Sequence, residues 1–300
     1  MYLPYHHHKK SFSEGRWITI DLHIHSTYSG GIFNPSQILE FSSQRLFDAI
    51  GISDHNEILG ALEALQIYKN ETGYPEVIVS QEVSAGEHFH LLIIGSNYAW
   101  PKTDRDELLE RIIAHRQNGG AVILAHPWTI PIDTWASGYL ETMLEFNLLD
   151  GVEMFNFSIV DLTCEELSIF SEIWNKWFAA SHLGIYGGSD FHHFRKGQLI
   201  GTGKTFLKVM EPGPKGIIDA IHQRRAVASL SSYQEVDLDW LGKGYRFLYG
   251  FDPWVAEIME LNKFLNHHIQ SYYQNDRLMK SFLLKMLASG HFQALYELLF

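Results

Sequence analysis

The chain has 300 residues, of which 46% are hydrophobic and 19% charged, enough for one β/α barrel with a sizeable core. Its net charge of −12 comes with no basic stripe, which argues against a protein that wraps long nucleic acid. No apolar run reaches the about eighteen residues of a membrane-spanning helix, and the single cysteine, Cys164, excludes an intramolecular disulfide and makes the cytoplasm the expected compartment.

Residues 1–16 read as a flexible polar tail without the apolar core of a signal peptide. Histidine is abundant at 17, yet only His6, His7 and His8 are adjacent. Residues 17–230 form the expected barrel domain. Trp17 to Leu22 is short and β-branched, so it reads as a strand. Pro35 to Phe41 opens a helix, with proline in the first turn and apolar residues at helical spacing. Phe47 to Ser53 predicts a second strand and Leu59 to Asn70 a second helix. Further strand-like runs are Val77–Val79, His90–Ile94, Ala121–Leu124, Gly151–Met154 and Gly184–Tyr186, and helical patterns cover Asp106–Asn118 and Cys164–Ala180. This alternation predicts a mainly parallel sheet, closed or nearly closed into a barrel. Residues 231–300 predict a mainly helical appendage. Val255, Ile258, Met259, Leu265 and Ile269 share one stripe, and Leu278, Phe282 and Met286 another. Those stripes are expected to pack on the barrel or to pair two chains, giving a homo-oligomer.

The chemistry gathers at strand ends. His23 and His25 lie two apart on the first strand, so both imidazoles face one side and can reach one ion. Ser53-Asp54-His55-Asn56 ends the second strand, Gln81-Glu82 follows the third apolar run, and His90 opens the next. Ala125-His126-Pro127 and Gly188-Ser189-Asp190-Phe191-His192-His193 end two later strands. A lone His-x-His is weak evidence. A set of such signatures on one barrel rim predicts a metal site. Two apparent signals carry nothing: Gly197 to Thr205 imitates a phosphate-binding loop, but Gln198 stands where its first glycine belongs, and Cys164 has no nucleophile motif around it.

Asp-x-His-x-His-Ser (Asp21 to Ser26), Ile-Ser-Asp-His-Asn (Ile52 to Asn56), Ala-His-Pro (Ala125 to Pro127) and Gly-Ser-Asp-x-His (Gly188 to His192) resemble the four motifs of the PHP family, the polymerase-and-histidinol-phosphatase domain. The resemblance covers about Ile18 to Ser229 and implies a distorted (β/α)7 barrel, commonly with a trinuclear site. It implies His23, His25, Glu82 and Asp190 around a first metal. Glu82 bridges to a second metal completed by His90 and His126, and His55 and His192 hold a third. His88 competes with His90, but His90 directly precedes the apolar run. Asp21 and Asp54 are expected behind these ligands, orienting imidazoles. Gly30 stands where many relatives have an aspartate that would complete the third site.

The expected function is metal-dependent hydrolysis of phosphate esters, either a small phosphomonoester or a nucleotide phosphodiester. Two or three zinc, manganese or iron ions would share a hydroxide that attacks phosphorus. His193, Arg195 and Lys196 follow the fourth motif and can grip the phosphate, with Asp54 expected to assist catalysis. Glu153 and Asn156 can line the same rim or cap the next segment. Two other readings are a nuclease acting on DNA ends and a catalytically silent PHP module used for binding; the acidic charge speaks against the first and the retained ligands against the second.

Overall fold

The structure, a computed structural model, describes residues 15–85, 89–101, 105–130, 135–156, 172–178, 181–193 and 200–230. Among them are nine strands: β1 (Arg16–Ile24), β2 (Ala49–Ile52), β3 (Glu76–Ser84), β4 (His90–Ile94), β5 (Ala121–Leu124), β6 (Gly151–Phe155), β7 (Gly184–Gly187), β8 (Gly203–Val209) and β9 (Ala226–Leu230). Five α-helices accompany them: α1 (Pro35–Gln44), α2 (Leu59–Asn70), α3 (Arg105–Gln117), α4 (Trp135–Glu145) and α5 (Gly213–His222). A short π-helical turn spans Trp174–Phe178.

Local chemistry sets these boundaries. The Asn34 side chain accepts the Gln37 N–H at 2.9 Å, while the Gln37 side chain accepts the Asn34 N–H at 3.0 Å. This reciprocal box, with Pro35 next to it, starts α1 and turns Ile38 and Leu39 into the core. The runs AIGI and AVIL of β2 and β5 are buried along their whole length, as strands covered on both faces must be.

The strands form one sheet in the order β7-β6-β5-β4-β3-β2-β1-β8-β9. Its two ends, β7 and β9, lie side by side, so the sheet is nearly closed into a barrel. The architecture is mixed α/β, as expected, but the sheet is not mainly parallel. β1–β2, β2–β3, β5–β6 and β6–β7 are parallel, whereas β1–β8, β3–β4, β4–β5 and β8–β9 are antiparallel. Between β3 and β4 only residues 85–89 are available, too few for the crossover that a parallel return requires. Among the described residues the sheet also has nine strands where the family resemblance implied seven. β8 and α4 are additions to the elements read from the sequence; Gly203–Thr205, which imitates a phosphate loop, is the start of β8. Most of the predicted Cys164–Ala180 helix, Cys164 itself and the whole 231–300 appendage fall outside the described residues.

The reversal of β4 positions the site. Because β4 runs against β3, with Ser84 paired to His90, its first residue reaches the same rim as the last residues of β3. Two single bridges carry the sheet past the strand ends, Ile24 to Phe191 and His55 to Glu82. The backbone is therefore fixed where the histidines stand. Among the described residues a buried apolar cluster lies under α1 and α2 and includes Ile24, Ile38, Ile52 and Phe191, next to the rim.

Candidate metal centre

Glu82 lies at the middle of the rim, buried, with five imidazoles around its carboxylate. Its Oε2 is 3.3 Å from His23 Nε2, 3.2 Å from His25 Nε2 and 3.0 Å from His55 Nδ1. Its Oε1 is 2.9 Å from His90 Nδ1 and 3.0 Å from His126 Nε2. Asp190 Oδ1 stands 3.3 Å from His23 Nε2 and 3.2 Å from His25 Nε2. Three donor sets result: His23, His25, Glu82 and Asp190; Glu82, His90 and His126; and His25, His55 and His192.

Apart from His126 Nε2 and Glu82 Oε1, which lie in hydrogen-bond contact at 3.0 Å, most of these atoms do not satisfy one another as hydrogen bonds. His23 Nε2, His25 Nε2, His55 Nδ1, His90 Nδ1 and Glu82 Oε2 are all buried and all lack a partner. Buried polar atoms without partners are costly, and five of them converging on one place call for a cation. Donors about 2.1 Å from a shared ion stand about 3.0–3.4 Å apart at octahedral to tetrahedral angles. The nitrogen–oxygen separations have that size, so the residues fit divalent metal ions.

The far side of each ring fixes which nitrogen is offered. His23 Nδ1 lies 3.1 Å from Glu153 Oε1 and donates to that carboxylate, leaving Nε2 free. Glu153, buried on β6, also accepts the His126 N–H at 3.0 Å and the Asn156 amide at 3.1 Å. His25 Nδ1 faces the Ser29 hydroxyl at 3.4 Å, and His126 Nδ1 faces the Thr129 hydroxyl at 3.4 Å. His192 Nδ1 donates to the Asp190 carbonyl at 3.0 Å. His126 and Asp190 both have left-handed backbone, with φ of 25° and 50°, a strained conformation often kept at functional positions.

Charge in the metal-free cluster follows from this crowding. Burial opposes protonation of His25, but the carboxylates of Asp190 and Glu82 close beside it outweigh burial and raise its pKa to about 9. His23 is likewise raised well above the ordinary value, burial being overcome by Glu153, Asp190 and Glu82. Glu82 and Asp190 lie well below the carboxylate range, against burial, because of His23 and its neighbours. His192 goes the other way, down to about 4, through burial and the charge of His25. An ion must displace these protons, so affinity should tighten with rising pH up to about 9. Without metal the sign reverses. The raised His25 pKa contributes stability fully below its ordinary 6.5, and this is lost as pH rises through about 9. Thermal unfolding with chelator should show the midpoint falling across that window; a rising midpoint would contradict the assignment.

The expected site residues fall into place unevenly. His23, His25, His55, Glu82, His90, His126, Asp190 and His192 are all brought into the three donor sets. His193 is adjacent but in none of them, and His88, Arg195 and Lys196 lie outside the described residues. Asp54 is placed behind the ligands rather than beside the expected reaction. It accepts the Ser26 N–H at 2.8 Å, the Ser26 hydroxyl at 2.6 Å and the Ser29 hydroxyl at 2.8 Å. No hydrogen bond links it to an imidazole among those seen; its influence on His25 passes through Ser29. Gly60 opens α2 against this carboxylate so closely that a Cβ would sit 2.1 Å from Asp54 Oδ2. Asp21 holds backbone amides instead of imidazoles, accepting from His23 at 3.2 Å, Ser189 at 3.0 Å and Gly201 at 2.9 Å. Burial raises its pKa to about 6 against those hydrogen bonds. Glu153 and Ser29 are the functional side chains that sequence reasoning undervalued. The available signal was a lone carboxylate inside the apolar run GVEMF, since a buried charge needs partners.

The third donor set also differs from expectation. Two protein donors, His55 and His192, were expected there; His25 makes a third. Its ring stacks 4.0 Å from His192 and lies 4.5 Å from His55. Gly30, with φ of 81°, stands beside them, and a Cβ there would lie 3.4 Å from the His192 ring. Gly30→Asp should therefore add a carboxylate next to His192 at a backbone cost of roughly 1 kcal/mol. In a chelator time course the variant should release its most labile ion several-fold more slowly than the parent. Equal release from a folded variant would show that Gly30 does not limit this set.

The fold and the donor sets define a barrel-type metal protein. No family model matches the chain. It is 31% identical over 150 residues to the uncharacterized protein MJ1587 of Methanocaldococcus jannaschii, spanning 45% of this chain and 80% of that one. Among solved structures it resembles a two-domain protein of Bacteroides vulgatus containing a predicted PHP-like metal-dependent phosphoesterase, with a TM-score of 0.55 and 19% identity over 72% of this chain. The chain spans 65% of that protein, less than two thirds of its length. It also resembles PsfC of Pseudomonas syringae, with a TM-score of 0.50 and 13% identity over 85% of this chain and 99% of the other. At such identities the structural similarities speak to the fold. The methanogen protein is a relative of this chain, and the fold is shared with the protein that contains a predicted PHP-like phosphoesterase. Among the described residues no helix is long and apolar enough to cross a membrane.

Proposed function

We propose that this chain is a metal-dependent hydrolase of phosphate esters, acting on a small phosphomonoester or a nucleotide phosphodiester. The observation that carries this reading is the division of Glu82, whose two oxygens belong to two separate donor sets less than a side chain apart. The phosphoesterase named in the Bacteroides vulgatus protein supports it by similarity of fold. When bound, a pair of divalent ions in such sets would supply Lewis acidity toward a phosphoryl group and acidify water between them.

The chain's own residues would divide the remaining work. His23, His25 and Asp190 would hold one ion with Glu82, and His90 and His126 the other. Glu153 keeps His23 in the tautomer that offers Nε2 and ties the His126 backbone to the same carboxylate. His193, and Arg195 beyond it, would donate hydrogen bonds to phosphoryl oxygens as the substrate is oriented. Mixed nitrogen and oxygen donors suit zinc, manganese or iron. A panel of phosphomonoesters and phosphodiesters, assayed after reconstitution with each metal, tests the proposal. Hydrolysis of at least one class, dependent on added metal, is expected. Full metal loading with no phosphate-ester hydrolysis would overturn it.

A further inference from the structure

Asp21 is fully buried on β1, two residues before His23, and none of its carboxylate oxygens points at an imidazole in a hydrogen bond. Its Oδ1 instead gathers two backbone N–H groups, from His23 at 3.2 Å and Ser189 at 3.0 Å. These amides belong to two different parts of the chain. One is the amide of His23 itself; the other immediately precedes Asp190. Its Oδ2 takes a third amide, from Gly201 at 2.9 Å, where the chain enters β8. The Ser189 hydroxyl closes the arrangement from the other side, donating to the His23 carbonyl at 3.2 Å.

We infer that Asp21 is the positioning residue of the first donor set: one carboxylate sets the separation of His23 and Asp190 by fixing the backbone beneath both. This rests on reading those side chains as metal ligands. His23 Nε2 and Asp190 Oδ1 are 3.3 Å apart, and while Glu153 orients the His23 ring, the backbone beneath the two residues is tied through Asp21. The second set, Glu82, His90 and His126, hangs on β3, β4 and the end of β5, and none of the hydrogen bonds seen to the Asp21 carboxylate among the described residues comes from it. A buried lysine adjoins the arrangement. Lys204 of β8 is fully buried one step on from the Ile20–Thr205 pair, across the strand from Asp21, whose carboxylate favours its protonated form against the effect of burial. The device therefore couples β1, the loop after β7 and the entry to β8.

Positioning ligands through a carboxylate in this way is worth about 10–100-fold in metal affinity. Asp21→Asn puts an amide N–H against a backbone N–H on one side and should disturb the spacing without emptying the core. In a zinc titration against a competing chromophoric chelator, the full-length Asp21→Asn protein should bind one ion about 10–100-fold more weakly than the parent while the other changes little. A general structural defect would weaken both ions together or lower only the melting temperature, and either result would overturn the inference. If the variant does not fold, the parent protein still decides. In the chelated wild-type chain, the amide hydrogens of His23, Ser189 and Gly201 should exchange slowly, because Asp21 holds them before metal arrives. Exchange at open-loop rates until zinc is added would show that the metal organises this backbone, and would overturn the inference. A wild-type chain that takes up no zinc would instead overturn the metal reading beneath it; the exchange result separates the two failures.

Discussion

Replacing Glu82 by Gln should remove both principal ions and lower phosphate-ester turnover by on the order of 10³-fold or more. Each ion in a two-metal centre supplies several kcal/mol of transition-state stabilisation, and each tenfold in rate is about 1.4 kcal/mol. Glutamine keeps the shape and one carbonyl oxygen, but it turns the other oxygen into an NH2 group that repels a cation. Since Oε1 faces His90 and His126 while Oε2 faces His23, His25 and His55, no single orientation of the amide serves both sides. Metal content and turnover should fall together. Normal turnover with full metal content in this variant would refute the shared role of Glu82.

The second large effect should come from Glu153, which the sequence alone reads more readily as a residue capping the next segment than as one lining the rim. Glu153→Gln should weaken metal binding by about 10–100-fold, the usual loss when the group behind a ligating histidine is changed. Its carboxylate accepts from His23 Nδ1, the His126 N–H and the Asn156 amide at once. A glutamine can keep some of these only by turning its NH2 toward another donor. The effect should be on affinity more than on turnover at saturating metal. Loss of turnover at full loading would move Glu153 into the reaction itself.

The site was more legible in the sequence than the fold was. His23 and His25 could be read because a strand places residues two apart on one side. His55, His126, Asp190 and His192 could be read because they terminate apolar runs, and strand ends are where such sites are built. His90 was legible only as the histidine directly before an apolar run, through the family resemblance; the structure supplies the reason, since β4 runs backwards and its first residue, not its last, reaches the rim. Hairpin direction has no periodic mark, and the expectation of a mainly parallel sheet failed on it. β8 was obscured by its own start, where Gly201, Gly203, Lys204 and Thr205 look like loop chemistry. Glu153 carried no motif, only the fact of a charge in an apolar strand. The roles of Asp21 and Asp54 were hidden because their partners, the Ser189 and Gly201 amides and the Ser26 and Ser29 hydroxyls, are distant in sequence or ordinary in type. That His25 belongs to two donor sets is a matter of ring packing, which spacing along a strand does not report.

Whether two ions share Glu82 is measured directly by anomalous diffraction from crystals grown with zinc or manganese. Two anomalous peaks are predicted, about 3.5–4 Å apart, one against Glu82 with His23, His25 and Asp190 and the other against Glu82 with His90 and His126. A single peak, or peaks that leave the Glu82 carboxylate without a metal on one of its oxygens, would contradict it.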